Sequence, residues 1–303
     1  MASNIRILIS LSIAFLIALG AFSLLYNEFP DTHIDRKNHS FFKEKLEDEK
    51  IFLLGSSHVN QLNTTHIVNK VFTNTEKYTV YNLAINADDP KKRFEDIEKI
   101  ISLNPDIVFY GISYRDFSSI SNDQIQQYKI TIDINPKFST MQAIRSVLTE
   151  LGIFQELKNQ LSDTNSPFKM IGVKQTIIET KENLELQTKN QKINQLTIKI
   201  ENNQQASYFK KIISKLQEND IKVIIFTTPI SHSFNKEIPI TTKENFKIIL
   251  NDVTEQFEIK MYNFTNKYSE LNIWQNPTHV SYNMDAIIFS EDIANMIIQE
   301  VDE

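Results

Sequence analysis

Five short runs of nearly unbroken apolar residues, separated by stretches of helical periodicity, restrict this chain more than any other feature of its sequence. The runs lie at residues 51–54, 78–83, 106–110, 221–226 and 259–264. A strand with one wet face alternates apolar and polar side chains, whereas a strand buried on both faces reads as a continuous apolar run. Between the runs, residues 90–103 carry Phe94, Ile97, Ile100 and Ile101 at helical spacing. Residues 242–257 do the same with Phe246, Ile249, Leu250 and Val253, and residues 208–216 and 284–298 give two more amphipathic segments. That order predicts an α/β domain whose parallel sheet is covered by helices on both faces.

In such sheets ligands bind beyond the carboxyl ends of the strands. Those ends are residues 55–58, 84–89, 111–116, 227–232 and 263–281. None carries Gly-x-Gly-x-x-Gly or a Gly-Lys-Ser/Thr loop, so the rim is poorly suited to nucleotides. The first end, Gly55-Ser56-Ser57-His58, delivers hydroxyls to the rim. If a helix starts there, the free N–H groups of its first turn favour negative charge beside Ser57, as acyl transfer requires; a turn followed by a helix cap uses the same letters. A serine hydroxyl is a weak nucleophile until an imidazole accepts its proton, and both His279 and His232 follow strands. His58 either lines the cleft or faces solvent. Arg115, next to Tyr114 at the third strand end, either binds an anionic or carbohydrate group or pairs with Asp116. Trp274, the sole tryptophan, either stacks on a sugar or anchors its loop.

Taken together, Gly55-Ser56-Ser57, the second-strand end Asn82-Leu83-Ala84-Ile85-Asn86-Ala87, Gly111-Ile112-Ser113 and Asn276-Pro277-Thr278-His279 resemble the four sequence blocks of the SGNH/GDSL hydrolases. The similarity is closest to membrane-anchored branches that trim or transfer acyl groups on cell-surface glycans. It runs from about Lys50 to Gln299, apart from an insertion. The resemblance implies a three-layer α/β/α fold with a flavodoxin-like five-stranded parallel sheet, to which the residues themselves add an N-terminal transmembrane helix and a helical insertion after the third strand. It implies Ser57 as nucleophile, His279 as base and Asn276 at the place of the family's aspartate. The implied oxyanion hole comprises the N–H groups of Ser57 and Ala87 with the Ser113 side chain, which stand where the family has glycine and asparagine for the latter two. His58, Asn86, Tyr114, Arg115 and Trp274 are the candidate substrate contacts, and no cofactor or metal is implied. The function expected is an exported, membrane-tethered serine esterase or acyltransferase acting on acyl esters of a surface glycan or lipid-linked substrate. The alternative is a catalytically inactive binding or assembly module of the same shape.

The N-terminus bears on the compartment. Residues 7–26 contain no charge over a length that spans a bilayer as a helix. Arg6 before them, and Glu28, Asp31 and Asp35 after them, orient the rest of the chain outside the cytoplasmic membrane; Ala18 and Gly20 leave a cleaved export signal as the other reading. Residues 1–30 are thus an anchor or signal, 31–49 a tether, and 50–303 the α/β domain with a helical insertion at 117–204. Within the insertion, Met141, Ile144, Leu148, Leu151, Phe154, Leu157 and Leu161 mark an amphipathic helix, and the insertion is a candidate lid or protein-docking surface. Its Asn- and Gln-rich piece at 190–205 reads as partly mobile. A net charge of −6 with no basic cluster argues against nucleic acid, and the absence of cysteine excludes disulfides and thiolate sites.

Overall fold

The computed structural model describes residues 49–118, 176–191, 193 and 196–302. Five parallel strands, β1 (Glu49–Gly55), β2 (Tyr78–Asn82), β3 (Ile107–Ile112), β4 (Lys222–Thr227) and β5 (Lys260–Asn263), form one sheet in the order β2-β1-β3-β4-β5. The helices are α1 (Ser57–Asn60), α2 (Thr64–Thr75), α3 (Pro90–Glu95), α4 (Ile97–Ser102), α5 (Lys181–Asn190), α6 (Gln204–Gln217), α7 (His232–Glu237), α8 (Ile240–Phe257) and α9 (Ile288–Asp302). Side chains of successive strand residues point to opposite faces. Ile51 and Leu53 of β1 join one core with Ile67 and Val71 of α2 and Ile293 and Ile297 of α9. On the other face, Phe209 of α6 meets the rings of Tyr110 and Phe117, and Phe117 meets Phe246 of α8. Both sheet faces are therefore dry, which is why the strands read as unbroken apolar runs.

The strand order reverses direction at β1, which has β2 on one side and β3 on the other, and a crevice opens at such a switch point. The register pairs Gly55 with Gly111, so β1 and β3 end level. Gly55 has φ +143°, and a Cβ there would lie 2.6 Å from Val59 Cγ2 and 2.7 Å from the Gly111 carbonyl oxygen. Only glycine lets α1 fold back so tightly over the end of β1.

Several elements differ from the sequence expectation. The third strand runs on through Gly111 and Ile112, because a glycine in a buried strand permits close packing rather than ending it; Phe226 and Val59 crowd its face. The helical stretch 90–103 is divided at Asp96, whose φ −102° and ψ 0° leave the helical basin. A small antiparallel hairpin, β6 (Trp274–Asn276) with β7 (His279–Val280), occupies a segment read as a loop. In the 190–205 piece, read as partly mobile, the described residues Ile193, Leu196 and Ile198 are buried. Thr242 Oγ1 and Asn245 Nδ2 of α8 donate to the carbonyls of Leu196 and Ile198, each at 2.7 Å. Asn203 Nδ2 donates to the Phe117 carbonyl at 2.9 Å, joining the two ends of the insertion. The apolar stretch 7–26 and the periodic stretch 141–161 lie outside the described residues. Among the described residues no helix is long and apolar enough to cross a membrane.

Candidate active site

Ser57 is the first residue of α1, immediately past the carboxyl end of β1. Its Oγ lies 2.7 Å from His279 Nε2. The imidazole comes from the hairpin, which backbone bonds tie to two neighbouring segments and one further bond closes at its base. Ser231 N donates to the Pro277 carbonyl, Glu179 N to the Trp274 carbonyl, and Ser281 N to the Ile273 carbonyl. Trp274 itself is 1 % exposed and anchors the hairpin in the core shared with α9.

The tautomer of His279 follows from its surroundings. Asn276 Oδ1 accepts from the backbone N–H groups of Thr278 and His279, both at 3.0 Å. Two backbone donors converging on one atom identify that atom as the amide oxygen. His279 Nδ1 lies 3.0 Å from the same oxygen, so Nδ1 carries the hydrogen and Nε2 presents its lone pair to the Ser57 hydroxyl. The Thr278 hydroxyl completes the arrangement, donating to Asn276 Oδ1 at 3.1 Å and lying 2.9 Å from His279 Nδ1. Burial, and then the nearby Arg115 cation, push the His279 pKa down to about 4. Near neutral pH the ring is an uncharged base aimed at a hydroxyl, the first requirement for nucleophilic catalysis.

The oxyanion side is built by the loop after β2. Leu83 N and Ile85 N donate to the carbonyls of Leu53 and Gly55, carrying the strand pairing past the end of β2. Buried Asn82 clamps α1 from below, its Nδ2 donating to the Val59 carbonyl at 2.9 Å and to Thr64 Oγ1 at 3.1 Å. Asn60 Nδ2 donates to Asn86 Oδ1 at 2.9 Å, tying the loop tip to the same helix. Ala87 adopts φ +59°, a left-handed conformation costing an alanine about 1–2 kcal/mol. Among the described residues no acceptor takes the backbone N–H of Ser57 or Ala87. α1 has only four residues, so individual N–H groups, rather than a helix dipole, are what it offers an anion.

Behind this loop lies buried charge. Arg93 Nε donates to Asp88 Oδ2 at 2.7 Å, and Arg93 Nη2 reaches the same oxygen and the Leu83 carbonyl. The pair spans the ends of the 83–88 loop and fixes its shape.

The other sequence candidates separate cleanly. The Ser113 hydroxyl donates to Asp116 Oδ2 at 2.7 Å, so its proton is engaged in a capping box and is not free for the oxyanion hole expected of it. Burial pushes the Asp116 pKa up to about 7, partly offset by the bonds from Ser113. Tyr114 and Trp274 are corrected as substrate contacts: Tyr114 is buried against Phe246, and Trp274 has no open face for a sugar. Asn86 and Arg115 are exposed at the rim, and Arg115 Nη2 lies 3.3 Å from Gln191 Oε1 of the residue capping α5. His232 pairs with Glu270 at 2.6 Å on the surface and is not part of the site. His58 does not face solvent; it is buried against His279, their rings stacked. Among the described residues no carboxylate bonds to His279, and no cluster of side chains suits a metal. Thr278 escaped sequence reasoning; its position between the proline and the histidine was the available signal.

No protein-family model matches the chain, and no curated protein matches it in sequence. Among solved structures it is similar to a lipase/acylhydrolase from Enterococcus faecalis, at 11% identity and TM-score 0.46, over 84% of this chain and 95% of that one. An acetyl xylan esterase aligns at 11% identity and TM-score 0.45, over 82% of this chain and 100% of the other. A psychrotrophic esterase from Pseudoalteromonas sp. aligns at 10% identity and TM-score 0.45, over 84% and 100%.

Proposed function

We propose that this protein is a serine esterase or acyltransferase of SGNH type. The observation that carries the reading is the hydrogen-bonded series Ser57 Oγ, His279 Nε2, His279 Nδ1, Asn276 Oδ1. In it Ser57 Oγ attacks an acyl carbonyl carbon as its proton passes to His279 Nε2. The carbonyl electron pair moves onto oxygen, which the N–H groups of Ser57 and Ala87 receive. Collapse of the adduct breaks the bond to the leaving oxygen, which takes the proton back from His279 and departs as an alcohol. Water, or a second hydroxyl, then resolves the acyl-serine by the same steps in reverse, giving hydrolysis or transfer.

The finer reading places the domain outside the cytoplasmic membrane, tethered by residues 7–26, with acyl esters of a cell-surface glycan or lipid-linked carrier as substrate. Its support is the uncharged N-terminal stretch and the acidic residues that follow it. Asn86 and Arg115 are the rim groups proposed to contact that substrate, with the 117–204 insertion as a protein-docking surface.

The test is hydrolysis of p-nitrophenyl acetate by the full-length protein in detergent beside Ser57→Ala and His279→Ala. Each substitution is expected to lower kcat by at least about 10³-fold. Turnover equal in all three proteins would sink the reading. A specific observation favours the second reading, a catalytically silent binding module: among the described residues no carboxylate holds the imidazole. Wild-type protein that neither turns over the ester nor is acylated at Ser57 by activated acyl donors would select it.

A further inference from the structure

His58 follows the proposed nucleophile directly in sequence, and its ring lies flat on that of His279. The centroids are 4.3 Å apart and the planes 2° from parallel. His58 is 7 % exposed, and its Nδ1 lies 3.2 Å from Ser56 Oγ. Its Nε2 has no protein partner among the described residues. Together with Gln61 and Ser281, His58 lines a cavity of about 20 Å³ on the side of α1, a volume that accepts one water molecule.

The geometry excludes proton exchange between the two rings. Imidazole nitrogens donate and accept in the plane of the ring, and two rings stacked in parallel present only their faces to each other. What His58 offers His279 is a flat surface of π electrons. That matters because His279 becomes positively charged when it takes the Ser57 proton. Its other neighbours give that charge little support: Asn276 supplies a neutral amide oxygen, Thr278 a hydroxyl, and Arg115 a cation that opposes it. A cation within about 6 Å of an aromatic face is attracted to it.

We propose that His58 is a positioning residue for the base, whose uncharged ring face holds His279 in the plane joining Ser57 to Asn276 and stabilises the imidazolium formed during acyl transfer. The proposal rests on the serine reading above. The attraction requires His58 to stay neutral, since two stacked imidazolium rings repel. Burial first, then the charge that forms on His279 and the Arg115 cation, hold the His58 pKa well below the ordinary histidine range. Arg115 is the charged side chain acting on both rings, so it is kept in every form tested.

The alternative is that a buried histidine simply fills space, and two substitutions of similar bulk separate the cases. His58→Phe keeps a flat π face and cannot ionise; His58→Leu keeps apolar volume without the face. Full-length wild type and both variants are compared by steady-state hydrolysis of p-nitrophenyl acetate and by ¹⁵N NMR titration of His279. His58→Leu is expected to lower kcat by about 3- to 30-fold with KM unchanged and to shift the His279 pKa downward. His58→Phe is expected to restore kcat to within about threefold of wild type with the pKa retained. Equal His279 pKa values in the two variants overturn the proposal, as does equal kcat. Should the leucine variant not fold, His58→Met takes its place. A wild-type protein that is inert towards the ester and unlabelled at Ser57 by a fluorophosphonate defeats the serine reading instead, and the titration still decides the role of the ring pair.

Discussion

An amide oxygen at position 276 orients the imidazole as a carboxylate would, through the same Nδ1–H bond, but contributes no charge when the ring becomes a cation. In a serine protease the corresponding aspartate-to-asparagine change costs about 10⁴ in rate, mostly through the wrong tautomer. Here the tautomer is already correct, because two backbone N–H groups hold the amide with its oxygen towards the ring. The missing part is electrostatic. Asn276→Asp is therefore expected to raise kcat/KM by about tenfold or more at pH 7. The same change moves the acid limb of the pH profile. In wild type the limb lies near the His279 pKa of about 4; a carboxylate on Nδ1 favours the protonated ring and moves the limb to higher pH. A kcat/KM profile from pH 4 to pH 8 checks both, and an unchanged limb would show that position 276 does not control the base.

At the scale of elements, the site depends on α1, the β6–β7 hairpin and the loop after β2, and that loop is under tension. Its alanine holds a left-handed φ, and the Arg93–Asp88 pair behind it keeps it there, both side chains almost wholly buried. Removing one member of a buried pair leaves the other without its counter-charge, at a cost of about 3–5 kcal/mol. Arg93→Met is expected to destabilise the domain by about that much, measured by urea unfolding. The folded fraction should also lose activity, because the Ala87 N–H is no longer held. Full stability in Arg93→Met would mean the pair does not set the loop. These elements were unequally legible in the sequence. The strands announced themselves because both sheet faces are dry, and Ser57 and His279 stood at strand ends or beside the last helix. The hairpin carrying His279 has strands of three and two residues, too short for any periodicity to emerge. The Ser113–Asp116 bond, the His58 stack and the Arg93–Asp88 pair depend on which side chains meet after folding. For the stack and the ion pair local sequence does not encode that, whereas Ser113-Tyr114-Arg115-Asp116 carries the Ser-x-x-Asp spacing of a capping box.

Across the whole molecule, buried titratable groups set how the fold responds to acid. His58 and His279 have pKa values below the ordinary 6.5 in the folded state. Between pH 6.5 and about 4 the unfolded chain binds protons that the folded chain refuses, so stability falls as pH drops through that window. Asp116 works the other way. Held up at about 7, it keeps a proton that the unfolded chain releases above its ordinary pKa of about 4, so it subtracts stability as pH rises from about 4 to 7. Burial also raises the Asp88 pKa, which acts in the same direction as Asp116; the two histidines are expected to outweigh the two aspartates, so the thermal midpoint is expected to be lower at pH 5 than at pH 7, with a shallower fall in His58→Phe. A midpoint that is flat or higher at pH 5 would refute this balance.

Ser57 and His279 lie 222 positions apart, and that separation governs when the protein acquires its chemistry. Synthesis yields the serine well before its base. A growing chain can assemble β1 to β4 and display a finished strand-end serine while remaining inert. Only when the hairpin has emerged and docked through Ser231 and Glu179 does an acceptor for the proton arrive. Reactivity thus follows docking of the hairpin: a chain broken off before it has the serine but no base to take the serine's proton.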